Sequence, residues 1–449
     1  MLAESLKDYN IETANNEKPY FGILAHGYQP PRLFNVELTI AGKPYQAGFT
    51  VAPEYNGMIT GQVYKPILSE TEQLPPGLIT SIYAPLRSYL KRNNPDLFAK
   101  LQAEVRNTPN REYSILGDPL VHVILPLLPS DDQQMLLEAG KQAFINDFGF
   151  APKGLWLPET AVSKEVLHNA AAAGYEFVPL RDDQVKPILD DTYIDAEHNI
   201  CVVQTDKDEE IIVVLGNSNL SGFVSYTPWS TYDADEFMRA RQQDHQNNKT
   251  NMIMMMDLER YGHHQIGAEE FLIRASKIQE SYGFTPLDMY RVLEKFKQGQ
   301  RKTFVKVKDN TSWSCIHGLA RWTGDCCCDN PSEPALRAKK EYYTNLMNMN
   351  TFVNDSLDNI APGWRDELTN LFVTYSDDIF TGVNFGPQLF EAVTNMGGDE
   401  EKAKLYLAKI EVMVGMTSCG WFFGADGRPE RDIPSSMIKG VKDLFPEHY

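Results

Sequence analysis

Residues 252–264 read Met252-Ile253-Met254-Met255-Met256-Asp257-Leu258-Glu259-Arg260-Tyr261-Gly262-His263-His264. Five apolar residues followed at once by charged ones are the pattern of a strand buried on both faces that ends in a polar loop. Such strands belong to parallel sheets covered by helices. Asp257 closes the run. Glu259 lies two residues further and faces the same side if the strand continues. A helix starting at Asp257, ahead of Leu258-Glu259-Arg260, is the other reading of these residues.

Working outward, the same apolar-to-polar transition recurs. YFGILAHGYQPPR (20–32) begins as a buried strand and leaves it near His26. HVILPLLP (122–129) is a second apolar run, opened by His122. KGLWLPET (153–160) reads as a strand and loop reaching Glu159, and YEFVPL (175–180) as another strand. Helical periodicity fills the gaps. QQMLLEAGKQAFINDFG ends in Gly149, SKEVLHNAAAAGY is capped by Ser163 and stops near Gly174, and EEFLIRASKIQESYG follows the histidine pair. This β-then-α alternation predicts an α/β fold, with His26, His122, Glu159 and Asp257 at or just past strand ends, where barrels of parallel strands carry their chemistry. From about residue 335 the pattern turns helical, so the expected division is a barrel over 1–330 and a helical C-terminal subdomain over 331–449.

Composition narrows the function classes. The net charge of −19 opposes phosphate-rich partners, so neither nucleic acid nor an anionic membrane is expected as a partner. The N-terminal stretch is polar, without a secretory apolar core, and no run reaches about 18 apolar residues. The expected location is the cytoplasm. The six cysteines then read as thiols rather than disulfides. Aromatics make up 11% of the chain, most of them needed for the core, with a minority free to act as flat platforms for sugars.

Two carboxyl groups of unlike protonation state are what glycoside cleavage requires. Glu159 follows an apolar run and Pro158, and Asp257 has Glu259 beside it. Repulsion between two acids so placed raises the pKa of one and suits it to proton donation. The plainer reading of Glu159 is a loop carboxylate near the helix that Ser163 opens. His26, His122, His263 and His264 form no compact metal motif, so hydroxyl binding or carboxylate orientation is favoured over metal ligation. The stretch Trp313-Ser314-Cys315-Ile316-His317-Gly318-Leu319-Ala320-Arg321-Trp322, followed by Cys326-Cys327-Cys328, gathers thiols around His317. It lacks the usual C-x2-C spacing. Convergence of Cys315, Cys326, Cys328 and Cys419 on a metal is the alternative to the favoured reading of plain thiols.

HGYQPPR, GLWLPET and MDLERYGHH, in this order, resemble the motifs of glycoside hydrolase family 57. TSWSCIHGLARWTGDCCC and TSCGWFF resemble a subgroup with an attached helical region of unassigned function. The resemblance implies an incomplete seven-stranded (β/α) barrel followed by a helical subdomain. It implies a retaining double displacement on α-glucan or oligosaccharide substrates, of amylase, 4-α-glucanotransferase or branching type, with no metal and no cofactor. Glu159 falls at the family's nucleophile and Asp257 at its acid/base. His26, His122, His263 and His317 fall at positions that bind sugar hydroxyls, and Trp156 and Trp313 become stacking candidates. Gln29, Glu259, His264 and Trp322 complete the candidate substrate-binding set. Leu258 stands where the family usually has Gly. The second motif is not clear, with Glu54 or Asn56 as its nearest equivalents. A metal-dependent carbohydrate deacetylase or hydrolase on a related barrel, and a catalytically silent glucan-binding protein, are the competing readings.

Overall fold

The computed structural model describes residues 18–69, 73–187, 200–205, 209–248, 252–298, 303–328, 330–422 and 428–449. The polar N-terminal stretch through residue 17, and Phe423 at the end of the TSCGWFF stretch, lie outside them.

The strands in chain order are β1 (Tyr20–Gly27), β2 (Leu33–Ile40), β3 (Lys43–Thr50), β4 (Leu78–Ile82), β5 (Ile115–Leu116), β6 (Phe177–Arg181), β7 (Val185–Pro187), β8 (Ile200–Gln204), β9 (Glu210–Gly216), β10 (Met252–Asp257), β11 (Thr285–Pro286) and β12 (Val305–Val307). The central sheet is parallel, in the order β10-β1-β4-β5, with β11 also on β1. Met252 to Met256 are all buried, as a strand covered on both faces requires. β6 pairs parallel with β9, and β9 antiparallel with β8, in a separate three-stranded sheet. β2 and β3 form an antiparallel hairpin, and β7 pairs with β12.

The expected incomplete seven-stranded barrel is therefore not formed as continuous ladders, and the described strands close no barrel. Between β5 and β6 only single parallel bridges run on, Gly117 to Leu155 and Gly154 to Phe177. The chain there carries Pro119, Pro129, Pro152 and Pro158, and proline supplies no ladder N–H. Gly154 is required where this segment meets β6, because a Cβ there would sit 2.3 Å from the Phe177 ring. His122 and Glu159 thus project from bridged loops rather than from strands.

Helices behave as their sequences predict. Ser130–Phe148 ends on Gly149 in the left-handed region, at φ 84°. Ser163 caps Lys164–Ala172 by accepting from the Val166 amide at 3.2 Å. The C-terminal part is helical over Glu333–Ile360, Trp364–Thr381, Gly386–Asn395, Glu400–Gly415 and Asp432–Leu444. It builds no core of its own. Leu346, Phe372, Ile410 and Val441 share one buried cluster with Phe34 and Val36 of β2, Leu120 and Leu155. None of the described helices is long and apolar enough to cross a membrane.

Candidate active site

The register of β1 against β10 sets His26 directly opposite Asp257, and that of β1 against β4 sets Ser81 opposite His26. Three strand ends thereby meet at one point. His26 Nδ1 lies 3.4 Å from Ser81 Oγ, and its Nε2 lies 3.2 Å from His122 Nε2. His122 Nδ1 lies 2.7 Å from Ser418 Oγ, and its carbonyl accepts from the Ser418 amide at 2.7 Å. Burial pushes His26 down to about 3 and His122 well below its ordinary value. Both rings are therefore neutral at pH 7, and one Nε2 donates to the other. This leaves a continuous hydrogen-bonded chain, Ser81–His26–His122–Ser418.

Glu159 sits at φ 55° and ψ 19°, and Thr160 follows at φ 45°. Two successive non-glycine residues in the left-handed region are strained, and such strain persists only where neighbours enforce it. Here the Trp313 amide donates to the Glu159 carbonyl and to Thr160 Oγ1, each at 3.1 Å, while Gln184 Nε2 donates to the Thr160 carbonyl at 2.8 Å. The turn presents the carboxylate to two further donors, Trp313 Nε1 at 3.2 Å and Ser314 Oγ at 2.8 Å, both on Oε2. Burial raises the Glu159 pKa. The hydrogen bonds from Ser314, Trp313 and Ser418 and the charge of Arg321 oppose that rise. These donors and Arg321 favour the anion, while burial, the larger influence, keeps the pKa above its ordinary value.

Asp257 is placed oppositely. Burial, then the charges of Glu259 and Glu159, push its carboxyl well above the usual range, and every one of these influences acts in the same direction. Glu259, 6% exposed, is raised by burial too, but is met by donors. Its Oε1 accepts from the Tyr28 amide at 3.0 Å, from Gln29 Nε2 at 3.3 Å and from the Tyr64 hydroxyl. Arg32 braces this corner, with one arm 3.3 Å from Gln29 Oε1, its Nε 3.1 Å from Asn56 Oδ1, and an ion pair to Glu430 at 3.0 Å. Asn56 therefore serves the Arg32 guanidinium. The unclear second motif instead contributes Tyr64 to Glu259, and Gln62 Oε1 lies 3.0 Å from His263 Nδ1.

The remaining expected residues divide. His263 and His264 border Glu259, whose carbonyl accepts both their amides at 3.1 and 2.9 Å. Trp156 is 1% exposed and stacks on His26 at 5.5 Å, with Trp313 edge-on at 5.4 Å. It is a wall of the site rather than an open platform, and half-buried Trp313 is the more accessible ring. Trp322 is 2% exposed in the main core, beside Phe422, and not in the site. The short helix Ala320–Thr323 turns Trp322, together with Arg321, inward there. His317 faces thiols rather than the carboxyl groups. Cys419 does not join those thiols. It lies near Glu159, whose charge adds to burial in pushing its pKa up.

Sequence reasoning did not single out Tyr28, Tyr64, Ser81, Ser314 or Ser418. Tyr28 stacks on His122 at 3.9 Å. Ser418 and Ser314 lie inside the motif stretches TSCGWFF and TSWSC, so proximity to those motifs was the one available signal. A cavity of about 600 Å³ opens against the hairpin, lined by Asn35, Gln46, Thr50 and Lys439, but it holds none of these ionisable groups.

The model of glycosyl hydrolase family 57 matches residues 11–308. Alpha-amylase 1 of Dictyoglomus thermophilum is 24% identical over 164 residues, which is 36% of this chain and only 21% of that relative. Among solved structures, an exo-type maltose-forming amylase from Pyrococcus sp. ST04 matches with a TM-score of 0.68 at 14% identity, over 96% of this chain and 80% of that one. The 4-alpha-glucanotransferase of Thermococcus litoralis gives 0.58 at 15% identity, over 95% and 60%. A GH57 branching enzyme from Thermococcus kodakaraensis gives 0.56 at 11% identity, over 95% and 94%. These likenesses carry the fold, while the family model covers most of the sequence, including the stretches that hold His26, His122, Glu159 and Asp257: the chain belongs to glycosyl hydrolase family 57.

Proposed function

We propose that the protein is a retaining α-glycosidase or α-glucan transglycosidase in which Glu159 is the nucleophile and Asp257 the acid/base. The observation that carries this reading is the contrast between two carboxyl groups near enough for their charges to interact. Burial raises both, but hydrogen-bond donors and Arg321 counter the rise at Glu159, whereas the charges of neighbouring acids add to it at Asp257 and push that carboxyl well above its usual range. In the first step Asp257 gives its proton to the glycosidic oxygen as that bond breaks, and Glu159 attacks the anomeric carbon. In the second step Asp257, now a carboxylate, takes a proton from water or a sugar hydroxyl, whose oxygen displaces Glu159. Two inversions leave the anomeric configuration retained. Half-buried Trp313 supplies a ring face for the sugar beside the scissile bond, and the neutral, buried His26–His122 pair orders the wall behind it. Support for an α-glucan as substrate comes from the amylase, glucanotransferase and branching enzyme among the similar structures.

Incubation with maltooligosaccharides, with products resolved by length and their first-formed anomer read by NMR, tests this. The expected products are α-anomers. Oligosaccharides longer than the substrate identify transfer, and shorter ones alone identify hydrolysis. Inverted products, or no turnover of any α-glucan, would overturn the reading.

The acid role also fixes a pH dependence. Asp257 works protonated, so activity falls as pH rises through its pKa, and Glu259 is one cause of that high pKa. Glu259→Gln keeps an acceptor for Tyr28 and Tyr64 but removes the charge. The alkaline limb of kcat/KM is then expected to move to lower pH while the acidic limb moves less. An alkaline limb that stays in place or moves upward speaks against Asp257 as the proton donor.

A further inference from the structure

Outside the carboxyl site, four side chains turn their donor atoms toward one point. His317 Nδ1 lies 3.9 Å from Cys315 Sγ, 3.5 Å from Cys326 Sγ and 3.4 Å from Cys328 Sγ, and the Cys315 and Cys326 sulfurs are 3.4 Å apart. All four ligand atoms lie within 4.8 Å of one another. In a tetrahedral zinc site, Zn–S of about 2.3 Å and Zn–N of about 2.0 Å place sulfurs roughly 3.8 Å apart and sulfur about 3.5 Å from nitrogen. The S–N separations of 3.4 to 3.9 Å bracket the ideal, and the Cys315–Cys326 separation of 3.4 Å is slightly short of it.

As plain thiols the cluster is poorly satisfied. A neutral imidazole nitrogen accepts one proton, so only one of three S–H groups can use His317 Nδ1. The other two are left to neighbouring sulfurs, which are weak acceptors. A divalent cation serves the four atoms better, because it replaces the thiol protons and takes one lone pair from each donor atom at once. The Cys328 amide already donates to Cys326 Sγ at 3.3 Å, an outer contact that favours a bound thiolate.

We propose that Cys315, His317, Cys326 and Cys328 form a structural Cys3His zinc site, with spacing C-x-H-x8-C-x-C. Cys327, exposed between two of the ligands, is not one of them. On binding, the metal displaces one proton from each of the three thiols, and His317 binds neutral through Nδ1. Four protein ligands leave no position for a substrate water, so the ion clamps the loop rather than reacting. The clamped loop is the one that brings Trp313 and Ser314 to Glu159. The metal site does not depend on the glycosidase reading.

Metal content tests it without any assay of activity. Full-length protein purified under reductant is expected to retain about one zinc per chain through dialysis, measured by plasma mass spectrometry. Protein stripped by chelator and reloaded with cobalt(II) is expected to show sulfur-to-cobalt charge transfer and the intense d–d bands of a tetrahedral thiolate site. Cys328→Ser and Cys326→Ser are expected to lose the zinc, while Cys327→Ser and the double variant His26→Gln/His122→Gln keep it. Four results would each overturn the proposal. These are wild-type protein that takes up neither ion, an octahedral cobalt spectrum, zinc kept by both cysteine variants but lost with the two histidines, and a Cys315–Cys326 disulfide found by mass spectrometry in the reduced preparation. The wild-type cobalt spectrum decides even if the cysteine variants do not fold.

Discussion

Glu159→Gln is expected to lower turnover of an α-glucan by about 10⁴-fold or more, because a reaction that loses its nucleophile keeps only binding and electrostatic assistance. The amide suits this test. Its oxygen can still accept from Ser314 and Trp313, and the left-handed turn at 159–160 is unchanged, so the loss reports chemistry rather than unfolding. Asp257→Asn should cost about 10²- to 10⁴-fold, the range for a positioned general acid. The two roles then separate by leaving group. A glycosyl fluoride needs little protonation, so the Asp257 variant should still form the glycosyl-enzyme with it and accumulate that species, whose breakdown lacks its base. Small anions such as azide, which attack without base assistance, should restore turnover to the Asp257 variant and not to the Glu159 variant. Either amide variant remaining within tenfold of the wild type, with an unchanged thermal melt, would remove that residue from the mechanism.

How much of the site could be read from the residues follows from how each part of it is built. β1 and β10 were legible because an apolar run broken abruptly by a charge fits little besides a buried strand meeting a polar loop, and their register brings His26 to Asp257. Helix ends at Gly149 and Ser163 were legible because capping is local chemistry. The closed set of parallel strands was not. Proline-broken segments between β5 and β6 keep the direction of strands but form single bridges, and hydrophobicity alone does not tell these from ladders. Glu159 consequently stands on a strained turn, not a strand end. Hydroxyl groups such as Ser418 and Tyr64 have no periodicity to betray them, and each reaches the site across a long sequence separation, 296 residues for His122–Ser418. Trp322 and His317 lie in the same motif as Trp313, yet backbone turns within a few residues send the three side chains to a core, a thiol cluster and a carboxylate respectively.

The deepest dependence of the site on the helical C-terminal part runs through Lys409. Its ammonium, fully buried, pairs with equally buried Asp132 at 2.7 Å and donates to Asn350 and Asn354 at 2.5 and 2.7 Å. Burial lowers the Lys409 pKa to about 8, with Asp132 as the main opposing influence. Lys409→Met should therefore destabilise the protein by about 3–5 kcal/mol, because Asp132 is left as a buried charge with only amide donors from Asn350 and Asn354. A lowered urea midpoint at unchanged slope would report this. Adding Asp132→Asn removes the stranded charge, so the double variant should recover much of the loss, and that non-additivity separates a charge effect from a packing effect. Asp132 opens the helix that follows the His122 segment, while Lys409 lies on Glu400–Gly415, which leads directly into Thr417 and Ser418. The ion pair thus holds together the two segments that meet at His122 and Ser418. In the single variant, activity at temperatures below its melt should fall more than that of the double variant. Equal stability for Lys409→Met and wild type would show that the amides suffice for Asp132, and that the helical part is held to the site by apolar packing alone.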